Sequence, residues 1–194
     1  MWAYVICGVI WIGFTSLWTF SSIPRGRTFE IYAGCGIGIC LSLLIFRLSG
    51  QFQTQSGVLI SKIMSVAGNV FYVSAIIVVI VSFTTIRCKG KPKGWVEYTT
   101  YFINEGIFRI VRHPLYLGCV LWSIGLMFLI QSIPSTAFGA LALLCFWMAS
   151  KKEDAFNISQ FGDVYREYTE KVPMWNVIKG FMKLRRTSSD EKHP

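Results

Sequence analysis

Charge is scarce in this chain, and what there is leans one way. Only 15% of the 194 residues are charged, against 53% hydrophobic, and ten acidic residues face nineteen Lys and Arg. Apolar residues gathered in long blocks with so little charge exclude an ordinary soluble domain. The net charge of +9 raises nucleic acid as a partner. The cations, however, border apolar blocks and form no stripe interleaved with stacking aromatics, so no nucleic acid is expected. Metal-site patterns are also missing. Cys7, Cys35, Cys40, Cys88, Cys119 and Cys145 mostly lie inside apolar runs, without C-x-x-C or ligand-like spacing to His, and are expected to be packing residues, not ligands or disulfides. The run from Trp2 to Phe20 lacks the basic n-region of a signal peptide and is long enough to cross about 30 Å as a helix. These absences leave an integral membrane protein.

Short polar breaks divide the apolar blocks. A turn from Ser21 to Thr28, with Pro24 and Gly26, ends the first span and carries Arg25 and Arg27; the second span runs from about Phe29 to Phe46. Inside it, Gly34-Cys35-Gly36-Ile37-Gly38 has the look of a phosphate-cradling loop, but no strand precedes it. Gly34 and Gly38, on one helix face, suit close helix packing instead. A polar stretch from Arg47 to Gly57 leads to a third span, Val58 to Ile86, long for about 30 Å of hydrocarbon and expected to tilt or project. Asn69 within it is expected to hydrogen-bond across to another helix. From Arg87 to Gly94 cations alternate with Gly and Pro, which predicts a loop. Trp95 to Ile110, too polar to span, is expected to line a cavity at the interface.

The densest chemistry is Arg112-His113-Pro114-Leu115-Tyr116-Leu117-Gly118, set where an apolar run begins. Pro114 suits a first helical position, where its missing N–H costs nothing. An apolar run to Ile130, the break Gln131-Ser132-Ile133-Pro134-Ser135 and a second run to Ser150 predict a helical hairpin. Ile133 lies twenty residues from both His113 and Glu153, so antiparallel helices of equal rise return Glu153 beside His113. Beyond it, Ile158, Phe161, Tyr165, Tyr168 and Val172 recur at steps of three and four, predicting an amphipathic helix that lies on the membrane or roofs the polar site. Gly162 marks a break in it, Asp163 is a candidate cap, and Pro173 ends it. Lys183 to Pro194 reads as a mobile basic tail.

Two cations near Arg25, six from Arg87 to Arg112 and nine from Lys151 to Lys192 fall on one side; Arg47 and Lys62 stand alone on the other. The positive-inside rule then puts the polar site and the C-terminus in the cytoplasm. The expected fold is an all-α integral membrane protein with about five transmembrane helices, a C-terminal helical hairpin and a cytoplasmic amphipathic helix.

The ordered set Gly106-x-Phe108-x-x-x-Arg112-His113-Pro114-x-Tyr116-x-Gly118, then Glu153-Asp154, Phe161-Gly162-x-x-Tyr165-x-x-Tyr168 and Val172-Pro173, resembles the isoprenylcysteine carboxyl methyltransferase family. The wider group includes phospholipid N-methyltransferases and uses S-adenosyl-L-methionine. The resemblance runs from Trp95 to Pro173 and implies that His113, Pro114, Leu115, Tyr116 and Glu153 contact the cofactor. Phe108 takes a usually aromatic position, and Thr100, Tyr101, Phe102 and Ile103 form a wall for the rest of it. The acidic pair, usually Glu-Glu, is here Glu153-Asp154, and Phe156-Asn157 replaces a common leucine. The implied organisation is a three-helix transmembrane region (1–86), a cofactor-binding and catalytic region with the hairpin (87–173) and a basic cytoplasmic tail (174–194).

The residue chemistry fits such a cofactor: a sulfonium, amino group, carboxylate and adenine ask for an acid, donors and aromatic walls. Methyl transfer needs chiefly alignment, and a carboxylate acceptor is already ionised at neutral pH, so no general base is expected. Arg109, Arg112 and Arg166 are candidates to orient an anionic acceptor. The acceptor is expected to be lipophilic and to arrive from the membrane, so membrane lipids are partners as well. A phospholipid amine N-methyltransferase is the alternative within the group. An NADPH-dependent sterol reductase has a similar C-terminal layout but asparagine where Pro114 stands, and a non-enzymatic scaffold would leave His113, Tyr116 and Glu153 without a purpose.

Overall fold

The computed structural model describes residues 2–23, 26–50, 58–89 and 103–190. These form α1 (Trp2–Leu17, prolonged by a π-helical turn Trp18–Ser22), α2 (Thr28–Leu48), α3 (Val58–Lys89), a 3-10 turn (Gly106–Arg109), α4 (Pro114–Ile130), α5 (Ile133–Phe161), α6 (Asp163–Lys171) and α7 (Val177–Asp190), with no strand among the described residues. The protein is an all-α membrane protein. Trp2–Phe20, Thr28–Leu48, Leu59–Lys89 and Ile133–Phe161 are long and apolar enough to cross a bilayer. The fifth expected span is α4, apolar over 17 residues, or ~26 Å at helical rise against ~30 Å of hydrocarbon. Along α3, Val66, Val70, Val73, Ile77 and Ile80 face outward, an arrangement that a lipid solvent permits and water does not favour.

The packing is set by small residues. α3 lies on α4, and α2 and α4 both lie on α5, around a core of Ile39, Cys40, Leu43, Leu126, Ile130, Ala142 and Phe146. Gly34 and Gly38 receive the rings of Trp18 and Trp11, as their spacing predicts, while Gly36 between them receives Phe146 from α5: a Cβ at Gly36 would stand 2.5 Å from that ring. Gly68 and Gly125 approach each other's backbone in the same way, letting α3 and α4 close without intervening side chains.

The hairpin turns where the sequence places it. Gln131 ends α4 in a left-handed conformation (φ 53°), and Ser132 caps α5 through a reciprocal capping box with Ser135. Pro134 falls in the first turn of α5, where its missing N–H would be unpaired anyway.

Several expectations are corrected. Arg87, Cys88 and Lys89 are the last turn of α3, not a loop. The breakers Gly90 and Pro92 come only afterwards, and cations suit a helix C-terminus. Asn69 donates to the Ser65 carbonyl of its own helix at 2.8 Å, not to a neighbour. α5 does not stop at Ser150 but continues to Phe161, ended by Gly162 at φ +62°. Gly162, not Asp163, is then the N-cap of α6, and no side chain caps that end. Asp163 instead pairs with Arg166 at 3.4 Å. The expected mobile tail is helical through Asp190 as part of α7. Pro24, Arg25, residues 51–57, residues 90–102 and 191–194 lie outside the described residues, and with them the expectations placed there.

Candidate active site

The site is built at the open end of the hairpin. His113 is the residue before α4, Pro114 is buried in its first turn, and α5 comes back with Glu153 and Asp154 alongside. The predicted pairing is present, one residue displaced: His113 Nδ1 stands 3.9 Å from Glu153 Oε2, while His113 Nε2 is 2.8 Å from Asp154 Oδ1. Consecutive helical residues point about 100° apart, so the hairpin's length brings the acidic pair to His113 but its rotation chooses between them.

Asp154 is the hub. It receives Arg112 Nη2 at 3.0 Å, His113 Nε2 at 2.8 Å and the Tyr165 hydroxyl at 2.9 Å, bonds that favour an ionised carboxylate. Arg112 also donates through Nη1 to the carbonyls of Thr169 and Val172, tying α5, α6 and the segment before α4 together. The backbone seals the joint: Arg112 N donates to Pro173 O at 3.0 Å and His113 N to Met174 O at 3.4 Å. Tyr168 donates to Phe108 O at 2.6 Å. Burial raises the pKa of both tyrosines, reinforced at Tyr165 by the Asp154 charge, so each remains a donor at neutral pH. Tyr165, Tyr168 and Val172 are buried against Ile158 and Phe161. Of the two roles open to the amphipathic helix, α6 is therefore a roof.

The expected site residues separate into those gathered here and those that are not. His113 and Pro114 are buried; Leu115, Tyr116, Phe108, Ile103 and Glu153 are half-buried, and the Tyr116 ring lies 5.6 Å from that of His113. Glu153 keeps 27% of its side chain exposed against 12% for Asp154, so of the pair it is the carboxylate open to a ligand. Arg112 is largely buried and turned to protein acceptors. Arg166 pairs with Asp163 on the solvent face of α6, and Arg109 is exposed at the end of the 3-10 turn. Thr100, Tyr101 and Phe102 fall outside the described residues. Two features escaped the sequence reading: the hub at Asp154, and Trp175, whose buried indole N–H has no partner among the described residues and whose ring packs on the core that Tyr116 also borders. The signal for the first was present, since Tyr165 and Tyr168 are hydroxyl-bearing residues on an apolar face and must find acceptors when buried. Among the described residues there is no cluster suited to a metal ion. A separate depression of about 320 Å³, lined by Ile80, Thr84, Thr85, Cys88 and Gly106 among others, lies at the end of α3 and contains none of the predicted site residues.

An all-helical membrane protein with a buried Arg-His-Asp-Tyr joint and an open carboxylate at the end of an apolar hairpin is thus defined. The family model described as phospholipid methyltransferase matches residues 63–164, slightly more than half of the chain, taking in all of α4 and α5 and all of α3 but its first five residues. The chain belongs to this family. Among curated proteins it is similar to the protein-S-isoprenylcysteine O-methyltransferase of Schizosaccharomyces pombe, 38% identical over 72 residues, covering 37% of this chain and 30% of that protein. It is also similar to protein-S-isoprenylcysteine O-methyltransferase A of Arabidopsis thaliana, 29% identical over 113 residues, 57% of this chain and 54% of the relative. Protein B of the same plant is 33% identical over 72 residues, 37% and 36% respectively. The matched stretch thus spans between about a third and about half of these relatives. No solved structure matches the chain.

Proposed function

We propose that this protein is an S-adenosyl-L-methionine-dependent membrane methyltransferase that esterifies the carboxylate of a prenylcysteine-like, lipophilic acceptor. The observation that carries the reading is the open Glu153 carboxylate, held beside a locked His113 at the mouth of an apolar hairpin. It is supported by relatives bearing the isoprenylcysteine name.

The residues present fit the cofactor. Asp154 already accepts from three donors and Glu153 is the more exposed of the pair, so Glu153 would take the amino group through a charged hydrogen bond. Tyr116, Phe108, Leu115 and Ile103 offer apolar and aromatic wall, with Thr100, Tyr101 and Phe102 expected to extend it. The orphaned Trp175 N–H is a buried donor that a ligand acceptor would satisfy. When bound, the cofactor supplies an electrophilic methyl group on sulfur. The protein's own work is alignment and exclusion of water: Arg112, Asp154 and Tyr165 fix the backbone of the His113 turn, and α6 covers it. A carboxylate acceptor needs no base. Of the three candidate arginines, Arg109 is best placed to meet it, because Arg112 faces Asp154 and Arg166 faces Asp163. The cation asymmetry supports a cytoplasmic position for this end. At the far end of α4, Arg47 donates to Leu129 O, where it agrees with that orientation.

Methylation of a phospholipid amine is the second reading, favoured by the description of the matched family. Calorimetric titration of the solubilised protein with S-adenosylhomocysteine and with NADPH tests the cofactor: heat with the first alone is expected, and heat only with NADPH would overturn the proposal.

A further inference from the structure

Helix α7 has no part in the site, yet its composition is not that of a helix made for water. On a helix with about 100° per residue, Val177, Phe181, Ile178 and Met182 share one broad arc. That arc is uncovered: Ile178 is 73% exposed, Met182 54% and Phe181 49%. Lys179 and Lys183 lie on the adjoining arc, Lys183 donating through Nζ to the Glu170 carbonyl at 2.6 Å, and the whole helix carries four cations, Lys179, Lys183, Arg185 and Arg186, against the single acid Asp190. The depth of the helix is fixed independently. Gly180 is buried against Ile110 so closely that a Cβ there would stand 2.0 Å from the Ile110 carbonyl oxygen. Ile110 precedes Pro114, the start of apolar α4, by four residues, so α7 lies at the level where hydrocarbon begins.

We infer that α7 is an interfacial helix that seats its Val177, Ile178, Phe181 and Met182 face in the bilayer surface and its cations on anionic lipid headgroups. An apolar arc at that depth finds acyl chains, and flanking cations find negative headgroups. α6 is not the anchor, since its apolar face is spent on Ile158 and Phe161. The consequence reaches the site. Pro173 and Met174, just ahead of α7, accept from the backbone amides of Arg112 and His113, so an α7 held on lipid also holds the strap across the His113 turn, and one released from lipid loosens it.

The test is hydrogen exchange on the full chain in phosphatidylcholine nanodiscs, with and without phosphatidylserine. The bilayer should slow exchange of the 177–190 amides, phosphatidylserine should slow it further, and the amides of Arg112 and His113 should follow. Phe181→Glu with Met182→Glu should abolish the slowing in both lipids. Lys179→Glu should cut only the phosphatidylserine increment, by roughly fivefold for the one cation removed. Each substituted position is solvent-exposed, and an unchanged exchange pattern in α3 and α5 confirms that a variant is folded. Exchange of α7 that is the same in detergent, neutral and anionic bilayers would overturn the inference. Slowing that ignores phosphatidylserine would overturn its anionic part.

Discussion

Replacing Asp154 with asparagine keeps the side-chain volume and removes the charge that Arg112, His113 and Tyr165 converge on. The structure sets the magnitude. Arg112 and Asp154 are only 11% and 12% exposed, so solvent screening recovers little, and an amide leaves the guanidinium without its counter-charge while one of its own N–H groups faces a donor. Breaking a buried ion pair from one side costs about 3 to 5 kcal/mol. Arg112 retains the carbonyls of Thr169 and Val172, which puts the expected loss at about 3 kcal/mol, the lower end of that range. Reversible unfolding in mixed micelles would measure it, beside Arg112→Met, Asp154→Leu and the double variant. Because each single change strands the other partner, the double should cost less than the sum by at least about 1 kcal/mol. Asp154→Asn within about 0.5 kcal/mol of the parent, or strict additivity of the pair, would refute the hub.

Glu153→Gln should leave unfolding unchanged and weaken S-adenosylhomocysteine binding roughly 10- to 100-fold, the loss of a charged hydrogen bond worth about 1.5 to 3 kcal/mol; unchanged calorimetric affinity would remove Glu153 from the site. Gly36→Ala should cost about 1 to 3 kcal/mol by driving a methyl into Phe146, with partial recovery by Phe146→Leu, and a neutral result in the same unfolding assay would mean α2 and α5 stand farther apart. Because Tyr165 and Tyr168 have pKa values raised by burial, their contribution is intact below the unfolded tyrosine value of about 10 and is lost as pH rises beyond it. The double change to phenylalanine should flatten the alkaline limb of a stability–pH profile, and parallel limbs would contradict this. Cys88, exposed at the end of α3, should react with an impermeant maleimide from the cytoplasmic face; labelling from the other side would reverse the topology.

The hairpin could be read in advance because its arms are counted in residues: an apolar run from Pro114, a Ser-Pro break and an equal return fix which residues meet within one helical turn. They do not fix azimuth, which depends on how α4 and α5 pack through Gly139, Met127 and Phe146, and so Asp154 rather than Glu153 closes on His113. Gly162 announced its own break. The persistence of α3 through Lys89 was hidden because the cations of Arg87-Cys88-Lys89 continue in sequence into Lys91 and Lys93, among Gly and Pro, though charge at a helix C-terminus favours the helix. α7 was hidden by its basic character. Its periodicity in Val177, Phe181 and Leu184, and again in Ile178 and Met182, was as regular as that of α6.

The central claim is that Glu153 and the locked His113 turn present a methyl donor to a carboxylate arriving from the bilayer. It is tested most directly by transfer of labelled methyl from S-adenosyl-L-methionine in liposomes containing the parent protein or Glu153→Gln. The acceptors are a farnesylated cysteine derivative, its tailless counterpart and phosphatidylethanolamine. The account predicts base-labile methyl ester on the farnesylated acceptor, little on the tailless one, and a deep loss with Glu153→Gln. Equal reaction of the tailless acceptor, or methylation confined to phosphatidylethanolamine, would contradict it.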